Sequence, residues 1–501
     1  MIKLERLLNG FEYVKNSASR DIEINKIETD SRLVEKRDLF VAISGSDKDG
    51  HDYIAGALKR GAAALVIEKD YTDNSRDVSR VRDRQPYVIK VKDSRKALAL
   101  LARNFYGDPS KDIKVIGITG TNGKTTITYL LENILNAAAF KTGIVGTIRY
   151  KIADRIIDAG NTTPSCLVLQ GLIKDMLACS VDYCVMEVSS HGLDQHRTDY
   201  IDFDTALFIN ATREHLDYHK TFERYLDSKA RLFEGLEADA ACVLNRDDPN
   251  YRFFKKASST KRIISFGINK DADVYADNIK RDINGSSFTI HRDKEKAIIK
   301  TRLIGAHNIY NMLAAASCAI SEDIGLDKIK EGLEKVGAIE GRLQLLDASL
   351  GIKIFVDYAH TDDALEKVLT ALKELKRKKL ITVFGCGGNR DRGKRPRMGR
   401  VAATLSDRVI ITSDNPRFEE PNDIVRDIIK GIDKDLNNFE VILDRRDAIK
   451  EALSSAEEDD IVLIAGKGHE RYQIVKDKKI PFNDREVAEE FIEEKRSVEA
   501  L

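Results

Sequence analysis

The stretch Gly117-Ile118-Thr119-Gly120-Thr121-Asn122-Gly123-Lys124-Thr125-Thr126 decides the fold of this chain. An apolar run at 113–118 predicts a strand before it, and apolar residues at helical spacing follow it. Glycines let backbone N–H groups approach phosphate oxygens, and the helix N-terminus adds the positive end of its dipole. Lys124 would neutralise the β- and γ-phosphates, and the Thr125 hydroxyl would reach Mg²⁺. The stretch therefore predicts a nucleotide-binding P-loop.

The glycine spacing departs from the general Gly-x₄-Gly-Lys-Ser/Thr pattern, because Ile118 occupies the position five before Gly123. The alternative is a glycine-rich turn that binds nothing. The preceding strand, the Lys-Thr pair and the following helix disfavour that alternative.

Two further predicted strands end in residues suited to a phosphate-bound metal. The run 181–186 leads into Glu187, and the run 206–209 leads into a polar segment that includes His215. Ligands gather at the carboxyl ends of parallel strands, and Mg²⁺ prefers oxygen donors. Either segment alone could be a polar loop or a helix cap, but both follow the predicted P-loop along the chain.

Composition bounds the class of protein. The chain has 501 residues with 82 Lys+Arg and 82 Asp+Glu, so its formal net charge is zero; 42% of residues are hydrophobic and 33% charged. This length predicts about three domains at roughly 150 residues each. The neutral balance argues against a general nucleic-acid binder and against an acidic disordered protein.

Cysteine usage and hydropathy indicate the compartment. The six cysteines form no Cys-x-x-Cys pair and are too sparse for a disulfide scaffold. The N-terminus has no signal-peptide core, and no apolar run is long enough for a membrane helix. We expect a cytoplasmic protein with no membrane insertion.

Strand-length apolar runs alternate with helical patterns, which is typical of an α/β fold. The pattern predicts domains at 1–109, 110–342 and 343–501. In the first domain it predicts strands at 38–43 and 63–67, helices at 54–60 and 94–106, and a surface loop at 70–84. A helix is predicted at 308–319 in the second, and strands at 352–356, 380–384, 408–412, 440–443 and 461–465 in the third.

Several motifs in chain order resemble those of the Mur ligases. Besides the P-loop, they are Met186-Glu187-Val188-Ser189-Ser190-His191, Glu214-His215-Leu216-Asp217, Gly305-Ala306-His307-Asn308, Glu340-Gly341-Arg342 and Asp357-Tyr358-Ala359-His360. The resemblance covers essentially the whole chain. It implies a small N-terminal α/β uridine-binding domain, a central P-loop ATPase domain with a mostly parallel sheet, and a C-terminal Rossmann-like doubly wound domain. It also implies an ATP-dependent ligase that adds an amino acid to a peptidoglycan precursor, and so a role in cell-wall biogenesis, cell shape and cell division.

Three further motifs resemble one branch of that family. They are Thr29-Asp30-Ser31-Arg32, Asn161-Thr162-Thr163-Pro164 and Asp414-Asn415-Pro416-Arg417. This branch adds an amino acid to the D-glutamate γ-carboxylate of UDP-N-acetylmuramoyl-L-alanyl-D-glutamate through an acyl phosphate. The last motif marks the members that add meso-2,6-diaminopimelate, whereas lysine-adding members carry a different tetrapeptide there. The implied cofactors are ATP and Mg²⁺, the implied partners are those two substrates, and a monomer is expected.

The resemblance assigns roles residue by residue. Contacts to the UDP substrate are implied for Ser31, Asn161, Thr162, Thr163, Ser189, Gln195 and Arg197. Contacts to ATP are implied for Gly120, Thr121, Asn122, Gly123, Lys124, Thr125, Thr126, Asn308, Arg342 and Asp357. Contacts to diaminopimelate are implied for Arg390, Asp414, Asn415, Pro416, Arg417, Gly466 and Glu470. Catalytic roles are implied for Lys124, Glu187, His215 and Lys229, and metal binding for Thr125, Glu187, His215 and Lys229.

Lys229 illustrates how much the resemblance adds. Spacing alone indicates an ordinary solvated helix lysine, whereas the family carbamylates the matching lysine (N6-carboxylysine). A carbamate would turn a cation into a carboxylate suited to a metal ion. Some positions depart from the family pattern: Ser46-Asp47-Lys48 stands where many relatives have His-Gln-Ala, Arg213-Glu214 where Arg-Asp is common, and Asp362 where a proline is usual.

The third domain is expected to select the amino acid. Diaminopimelate carries at its far end both a carboxylate and an amine, and arginine binds carboxylate through two parallel hydrogen bonds. Arg390, Arg417 and Glu470 each follow a predicted strand, where doubly wound sheets build sites. Arg392 and Arg400 are each expected to be solvated.

Three alternatives remain open. One is a lysine-adding ligase of the same branch, and another is a folylpolyglutamate synthetase-like ligase. The third, from another class, is a P-loop nucleotide-binding module without ligase activity.

Overall fold

A computed structural model describes residues 1–11, 14–16, 22–45, 48–69, 86–346 and 351–499. The chain forms two compact units. One comprises residues 1–117, 141–204 and 235–240, and the other comprises 118–140, 205–234 and 241–501. The boundary at 117/118 falls within the strand Lys114–Thr119 that leads into the P-loop.

The first unit contains an α/β sheet near the N-terminus. Its strands follow the order Val14–Asn16, Tyr87–Lys90, Ala64–Ile67, Leu39–Val41 and Ile27–Glu28. They are parallel except for the first, which is antiparallel to its neighbour. A short antiparallel pair, Ile2–Lys3 with Glu23–Ile24, and the helices Leu4–Leu7, Ile54–Arg60 and Ser94–Tyr106 accompany this sheet.

The helix Ser94–Tyr106 shows how local sequence sets these bounds. The Asp93 side chain accepts hydrogen bonds from the backbone N–H groups of Arg95 and Lys96, which caps the start. Gly107 ends the helix with φ +80°, in the left-handed region that glycine adopts without strain. The helix predictions at 54–60 and 94–106 are confirmed, while the predicted loop at 70–84 lies outside the described residues.

A second strand group of the first unit ends in a predicted site residue. The antiparallel strands Arg155–Asp158, Arg149–Ile152 and Thr142–Val145 lead to Tyr183–Glu187, which is parallel to Thr142–Val145. The helices Cys166–Ala178 and Ser190–Asp194 belong to this group. Glu187 is therefore the last residue of a buried strand, as the sequence predicted.

The second unit includes the P-loop and its helix Lys124–Ala137. Its first sheet has the strands Thr205–Phe208, Ala241–Asn245, Arg262–Gly267, Val274–Asp282, Gly285–Arg292 and Glu295–Thr301, parallel at the start and antiparallel at the end. The accompanying helices are Leu216–His219, Phe222–Glu234, Tyr251–Ala257, Ala306–Ser321 and Leu326–Lys335.

The C-terminal sheet of this unit has the order Gln344–Leu346, Lys353–Asp357, Ile461–Ala465, Leu380–Phe384, Arg408–Ile411 and Phe439–Val441. All are parallel except Gln344–Leu346. The helices are Asp362–Leu375, Lys394–Leu405, Pro421–Ile429, Arg445–Ser454 and Asp484–Glu499, and an antiparallel hairpin joins Tyr472–Val475 to Lys478–Pro481.

Both faces of this sheet are covered. Leu380 and Phe384 pack with Leu369 and Met398 on one face, whereas Ile381 and Val383 pack with side chains of the helices Arg445–Ser454 and Asp484–Glu499 on the other. Successive strand residues point to opposite faces, so a continuous apolar run requires a helical layer on each side. The doubly wound C-terminal fold and the mostly parallel α/β class are confirmed. The predicted strand at 440–443 is observed at Phe439–Val441, and the other strand ends of this sheet agree within one residue.

Candidate active site

The P-loop has the geometry that its glycines require. Gly123 has φ +99°, and a Cβ placed on it would lie 2.4 Å from Asn311 Oδ1. No larger side chain fits there, because the backbone is left-handed and its neighbour is too close. Lys124 Nζ donates to the carbonyl oxygens of Gly120 (2.8 Å) and Thr121 (3.0 Å), so the ammonium lies over its own loop at the start of the helix.

Neighbouring elements hold the loop in shape. The Asn122 backbone N–H donates to Asn210 Oδ1, and Asn210 Nδ2 donates back to the Asn122 carbonyl, both at 3.0 Å. Thr121 Oγ1 lies 2.9 Å from the buried hydroxyl of Tyr225. Asn122 Nδ2 also donates to Asp363 Oδ2 at 2.6 Å. Asp363 lies in the first turn of the helix Asp362–Leu375. The sequence had assigned no role to Tyr225 or Asp363.

Arg342 and Asp357 lie in the same cavity as the P-loop. Arg342 Nη2 donates to Thr125 Oγ1 at 3.0 Å, and its guanidinium lies 4.8 Å from the centre of the Tyr358 ring. Asp357 accepts from the backbone N–H groups of Leu343 (2.5 Å) and Ala359 (2.6 Å). Burial raises the pKa of Asp357, with the Arg342 charge acting against that rise.

The cavity has a volume of about 570 Å³, the size of a small-molecule site. Several residues that the sequence predicted to bind ATP line it, namely Asn122, Gly123, Thr126, Asn308, Arg342 and Asp357. His307 lies in the same lining, and burial, reinforced by the Lys367 charge, lowers its pKa to about 4. The structure therefore brings these predicted residues, from widely separated parts of the chain, to one cavity.

Lys229 is not a solvated lysine. Its side chain is 1% exposed, and Nζ donates to the Gly120 carbonyl at 3.0 Å while lying 4.5 Å from the centre of the Tyr225 ring. Burial, reinforced by the Lys124 charge, lowers the pKa of Lys229 well below its usual value. The Lys229 amine is therefore buried against the phosphate loop, in surroundings that disfavour its charged form.

His215 belongs to a cluster around Glu214. His215 Nε2 lies 3.6 Å from Glu214 Oε2, and His360 Nε2 lies 3.7 Å from Glu214 Oε1. Burial, reinforced by the Lys394 charge, lowers the pKa of His360 to about 4, so that its ring is neutral at physiological pH. The motifs around Glu214 and His360 had supported the family resemblance, but the sequence offered no role for either residue.

Glu187 is fixed within the first unit. It is 1% exposed; Oε1 accepts from the Thr147 backbone N–H and Oε2 from the Thr147 hydroxyl, both at 2.9 Å. A Cβ on Gly146 would lie 2.5 Å from Glu187 Oε1, so the preceding turn approaches as closely as only glycine permits. Thr147 was missed, because nothing in its sequence context marks a carboxylate partner forty residues away.

Several of the predicted UDP-substrate residues of this unit form a hydrogen-bonded group near Glu187. Thr163 Oγ1 donates to the Glu187 carbonyl (2.9 Å) and accepts from the Ser189 N–H (3.0 Å). Arg197 donates to the Thr163 carbonyl (2.6 Å) and, through Nη2, to Gln195 Oε1 (2.7 Å). The remaining members lie beside them, with Thr162 Oγ1 at 3.0 Å from Thr147 Oγ1 and the Asn161 carbonyl accepting from the Tyr150 hydroxyl at 2.6 Å.

Ser31 belongs to the N-terminal part of the unit, between the strands Ile27–Glu28 and Leu39–Val41. The neighbouring Arg32 forms a bidentate pair with Asp30, Nε donating to Oδ1 and Nη2 to Oδ2, and this pair lowers the pKa of Asp30 to about 2. Ser46 and Asp47, where the chain departs from the family pattern, lie outside the described residues.

The residues predicted to bind diaminopimelate lie at or beyond the carboxyl ends of the C-terminal strands. Arg417 Nη1 donates to the carbonyl oxygens of Gly388 (2.9 Å) and Asn415 (3.4 Å), and Asn415 Nδ2 donates to Glu470 Oε2 (2.9 Å). Burial, reinforced by the Arg390 charge, lowers the pKa of Arg417. Two arginines this close favour an anion between them.

At two positions of the same site, a glycine lies too close to neighbouring atoms to leave room for a side chain. Gly466 has φ +116°, and its Cβ would lie 2.8 Å from Asp414 Oδ2. A Cβ on Gly388 would lie 1.9 Å from the Pro416 carbonyl oxygen. The loop after Leu380–Phe384 and the segment Asp414–Arg417 therefore pack backbone against backbone.

A buried ion pair that the sequence missed supports these loops. Arg395 is fully buried and donates to Glu419 through both terminal nitrogens, at 2.9 and 2.8 Å. Arg395 also donates to Asp427 (3.1 Å) and to the Gly387 carbonyl (3.2 Å). Arg395 thus ties the Arg390 loop to the segment that carries Arg417. Arg392 is mostly exposed and pairs with Asp427, in line with its predicted solvation.

Among the described residues, no helix is long and apolar enough to cross a membrane. Within those same residues, no group of three or more His, Cys, Asp or Glu side chains is arranged to hold a metal ion.

A P-loop joined to a doubly wound domain with a charged site at its strand ends defines a nucleotide-dependent enzyme. Three family models match the chain: "Mur ligase family, catalytic domain" at residues 23–106, "Mur ligase middle domain" at 118–319 and "Mur ligase, glutamate ligase domain" at 341–468. The chain belongs to the Mur ligase family, whose members are ATP-dependent ligases.

Curated relatives match over nearly the whole length. UDP-N-acetylmuramoyl-L-alanyl-D-glutamate--2,6-diaminopimelate ligase of Clostridium botulinum is 46% identical, covering 98% of this chain and 100% of the relative. The enzyme of the same name from Clostridium tetani is 44% identical, with the same coverage. A solved structure under that ligase name matches with a TM-score of 0.69 at 30% identity, covering 99% of each chain. A MurF structure from Acinetobacter baumannii, at 18% identity, 98% coverage of each chain and TM-score 0.67, supports the fold alone.

Proposed function

We propose that this protein joins meso-2,6-diaminopimelate to the D-glutamate γ-carboxylate of UDP-N-acetylmuramoyl-L-alanyl-D-glutamate at the expense of ATP. One observation carries the choice of amino acid: Arg417 is half-buried beside Arg390, with Glu470 held next to it by Asn415. Such a site pairs a carboxylate and an ammonium at once. Failure to pair buried charges is costly, and a site built this way rejects an amino acid that lacks one of the two groups.

In the proposed reaction, a γ-carboxylate oxygen attacks the γ-phosphorus of ATP, and ADP leaves. The product is an acyl phosphate. The neutral amine of diaminopimelate then attacks the acyl carbon, and the tetrahedral intermediate expels phosphate as the amide forms, with one proton lost from nitrogen. The P-loop amides and Lys124 stabilise the charge on the transferring phosphate, so the protein contributes chiefly positioning and electrostatics.

Magnesium is the metal that the resemblance implies, and hydroxyl and carboxylate oxygens such as those of Thr125 and Glu187 are donors of the kind that Mg²⁺ prefers. Within the first unit, Thr147 orients the Glu187 carboxylate. We assign Thr125, Glu187, His215 and carbamylated Lys229 to magnesium binding. Bound there, the ion would neutralise charge on the phosphate oxygens.

Carbamylation of Lys229 is part of the proposal. The amine adds to carbon dioxide, forming a C–N bond and losing one proton, and only the neutral amine reacts. The lowered pKa of Lys229 supports this step. We expect Lys229→Ala to be inactive, to remain inactive with added bicarbonate, and to recover partly with a short-chain carboxylic acid. Full activity of Lys229→Ala without any addition would contradict the role.

The remaining assignments are proposals of the same kind. The division at 1–109, 110–342 and 343–501 is supported by three separate family matches, and the first of those domains is assigned the uridine end of the substrate through Ser31. We place the reaction in the cytoplasm, where ATP and nucleotide-linked precursors are available. A monomer that does not bind nucleic acid stays a prediction.

The decisive experiment measures phosphate release by the purified protein. ATP is held constant while meso-diaminopimelate, L-lysine, L-glutamate or no amino acid is offered, each with and without the UDP-dipeptide. We expect release only when the UDP-dipeptide and diaminopimelate are both present. Release that occurs with lysine but not with diaminopimelate would indicate the lysine-adding alternative. Release without any amino acid would indicate a nucleotide-binding module that hydrolyses ATP.

A specific variant then tests the amino-acid site. Arg417→Ala should raise the KM for diaminopimelate far more than the KM for ATP, because Arg417 lies among the amino-acid residues. An equal effect on both would contradict its assignment.

A further inference from the structure

Lys467 is a buried cation inside the proposed amino-acid site. Its side chain is fully buried, and Nζ donates to Glu470 Oε2 at 2.8 Å and to Asn415 Oδ1 at 3.2 Å. Burying a lysine is expensive unless it is paired and hydrogen-bonded. This lysine is therefore held by two of the residues assigned to diaminopimelate, yet the family resemblance gave it no role.

The network fixes both partners of Lys467. Asn415 Oδ1 accepts from Lys467 and from the Ile474 backbone N–H (2.8 Å), so the amide orientation is set by two donors. Its Nδ2 consequently donates to Glu470 Oε2. Both interactions converge on one oxygen of the Glu470 carboxylate and leave Oε1 as the oxygen that can accept from a substrate ammonium.

The charge around this carboxylate has a consequence for the choice of amino acid. Arg390, Arg417 and Lys467 are cations, whereas Asp414 and Glu470 are carboxylates, and Arg417 is close enough to Arg390, Asp414 and Glu470 to interact electrostatically with each. Lys467 already neutralises Glu470. An amino acid whose far end is an ammonium alone therefore meets a surplus of positive charge. A far end carrying a carboxylate and an ammonium together does not.

We propose that Lys467 is a positioning residue that makes the site discriminate between diaminopimelate and lysine. It acts through Glu470, by orienting one carboxylate oxygen toward the substrate and by cancelling the charge that would otherwise attract a lone ammonium. This inference rests on the proposed function, because it presumes that the site receives an amino acid.

The test compares Lys467→Met with the wild type and with Lys478→Met. Lys478 is an exposed lysine on the neighbouring hairpin, so its loss removes one positive charge without touching Glu470. For each protein, kcat/KM is measured by phosphate release with meso-diaminopimelate and with L-lysine, at saturating ATP and UDP-dipeptide. Circular dichroism and the KM for ATP report on folding and on the P-loop.

We expect Lys467→Met to lower the ratio of kcat/KM for diaminopimelate to that for lysine by about tenfold or more, since one unit charge is removed from a partly buried site. Lys478→Met should leave the ratio unchanged. Lys467→Gln, which retains an N–H donor without the charge, should behave like Lys467→Met.

Three outcomes would overturn the proposal. The first is an unchanged ratio when both rates fall together, the mark of a merely structural lysine. The second is an equal change in Lys478→Met. The third is failure of both Lys467 variants to fold. Wild-type protein that does not use diaminopimelate would instead refute the proposed function, so the two failures are distinguishable.

Discussion

Asp484→Asn tests the buried ion pair that stands behind the amino-acid site. Arg445 and Asp484 are both fully buried, and Arg445 Nε and Nη2 donate to the two carboxylate oxygens, each at 2.7 Å. Arg445 Nη2 also donates to the Ala465 carbonyl at 2.9 Å, at the end of the strand that leads into Gly466. The pair thus joins two helices to the strand end that carries part of the site.

Removing one partner of such a pair costs about 3–5 kcal/mol, because the other charge remains buried and uncompensated. At 1.4 kcal/mol per factor of ten, openings of this region become about 10²- to 4 × 10³-fold more frequent. The assay is hydrogen–deuterium exchange with mass spectrometry on the full-length protein. Peptides covering 461–466 and 484–497 should exchange faster by that factor, while peptides covering the P-loop should not change.

Glu490→Gln is the matched control. Arg446 and Glu490 pair across the same two helices but are about half exposed, and exposed pairs contribute at most about 1 kcal/mol. If Asp484→Asn accelerates exchange no more than Glu490→Gln, burial does not set the cost of breaking this pair and the reasoning fails. The double variant Arg445→Met/Asp484→Leu should recover much of the loss, because an apolar pair leaves no charge behind.

Three other expectations follow from single contacts. Glu419→Gln weakens the bidentate pair with the buried Arg395. It should raise the KM for diaminopimelate about tenfold without changing the KM for ATP. Equal changes in both KM values would count against a local effect. Thr147→Val removes one hydrogen bond to Glu187, which contributes about 1.5–3 kcal/mol at a charged group. The variant should therefore lower kcat/KM in the phosphate-release assay by about ten- to a hundredfold. Normal activity would exclude Thr147 as the group that orients Glu187. Burial, with the Arg342 charge, lowers the pKa of His469 to about 3. Between that value and 6.5 the unfolded chain binds a proton that the folded protein does not, so the free energy of unfolding falls as the pH falls, by up to about 1.4 kcal/mol per pH unit. His469→Gln should flatten this slope in urea titrations at pH 4 to 6, and an unaltered slope would contradict the assignment.

The sequence predicted the elements whose signals are local. The helix Ser94–Tyr106 has its cap and its terminal glycine next to it in the chain, and the strand Leu380–Phe384 is a continuous apolar run. Both were predicted with the observed bounds. The positions of the motifs at strand ends followed from the α/β alternation, since parallel strands bring their carboxyl ends to one edge.

The sequence could not show which charges are buried. The arginines of the segment 390–400 look alike in the sequence but lie in different environments. Arg390 is exposed beside Arg417, whereas Arg395 is fully buried against Glu419. Arg397 Nε donates to Asp362 at 2.7 Å. The last contact gives the departure at Asp362 a structural role, because a proline there would offer no carboxylate. Each partner lies more than twenty residues away in the chain, so no local pattern announces it.

Lys229 shows the same limit in another form. Helical spacing described it as solvated, and only the resemblance suggested otherwise. The structure buries it against the Gly120 carbonyl and the Tyr225 ring, because the helix Phe222–Glu234 turns that face toward the P-loop. Whether a lysine is buried depends on how the elements pack. Its long apolar stem can lie against a core while the same side chain is equally suited to the solvent-exposed face of a helix, so the sequence alone does not distinguish the two.

A short stack of side chains joins the phosphate loop to the proposed amino-acid site within the second unit. Arg342 donates to Thr125 and lies over Tyr358, whose ring centre is 4.9 Å from that of His469, the residue before Glu470. A Cβ on Gly341 would lie 2.3 Å from the His469 nitrogen, so the two backbones meet there without space for a side chain. A ligase that passes through an acyl phosphate must present the amine before water reaches that intermediate, and this requires the phosphate and amine sites to keep a set separation. The packed contacts from Thr125 to His469 connect the P-loop to the segment that carries Glu470, and they offer a physical means by which the two proposed sites would keep their relative positions.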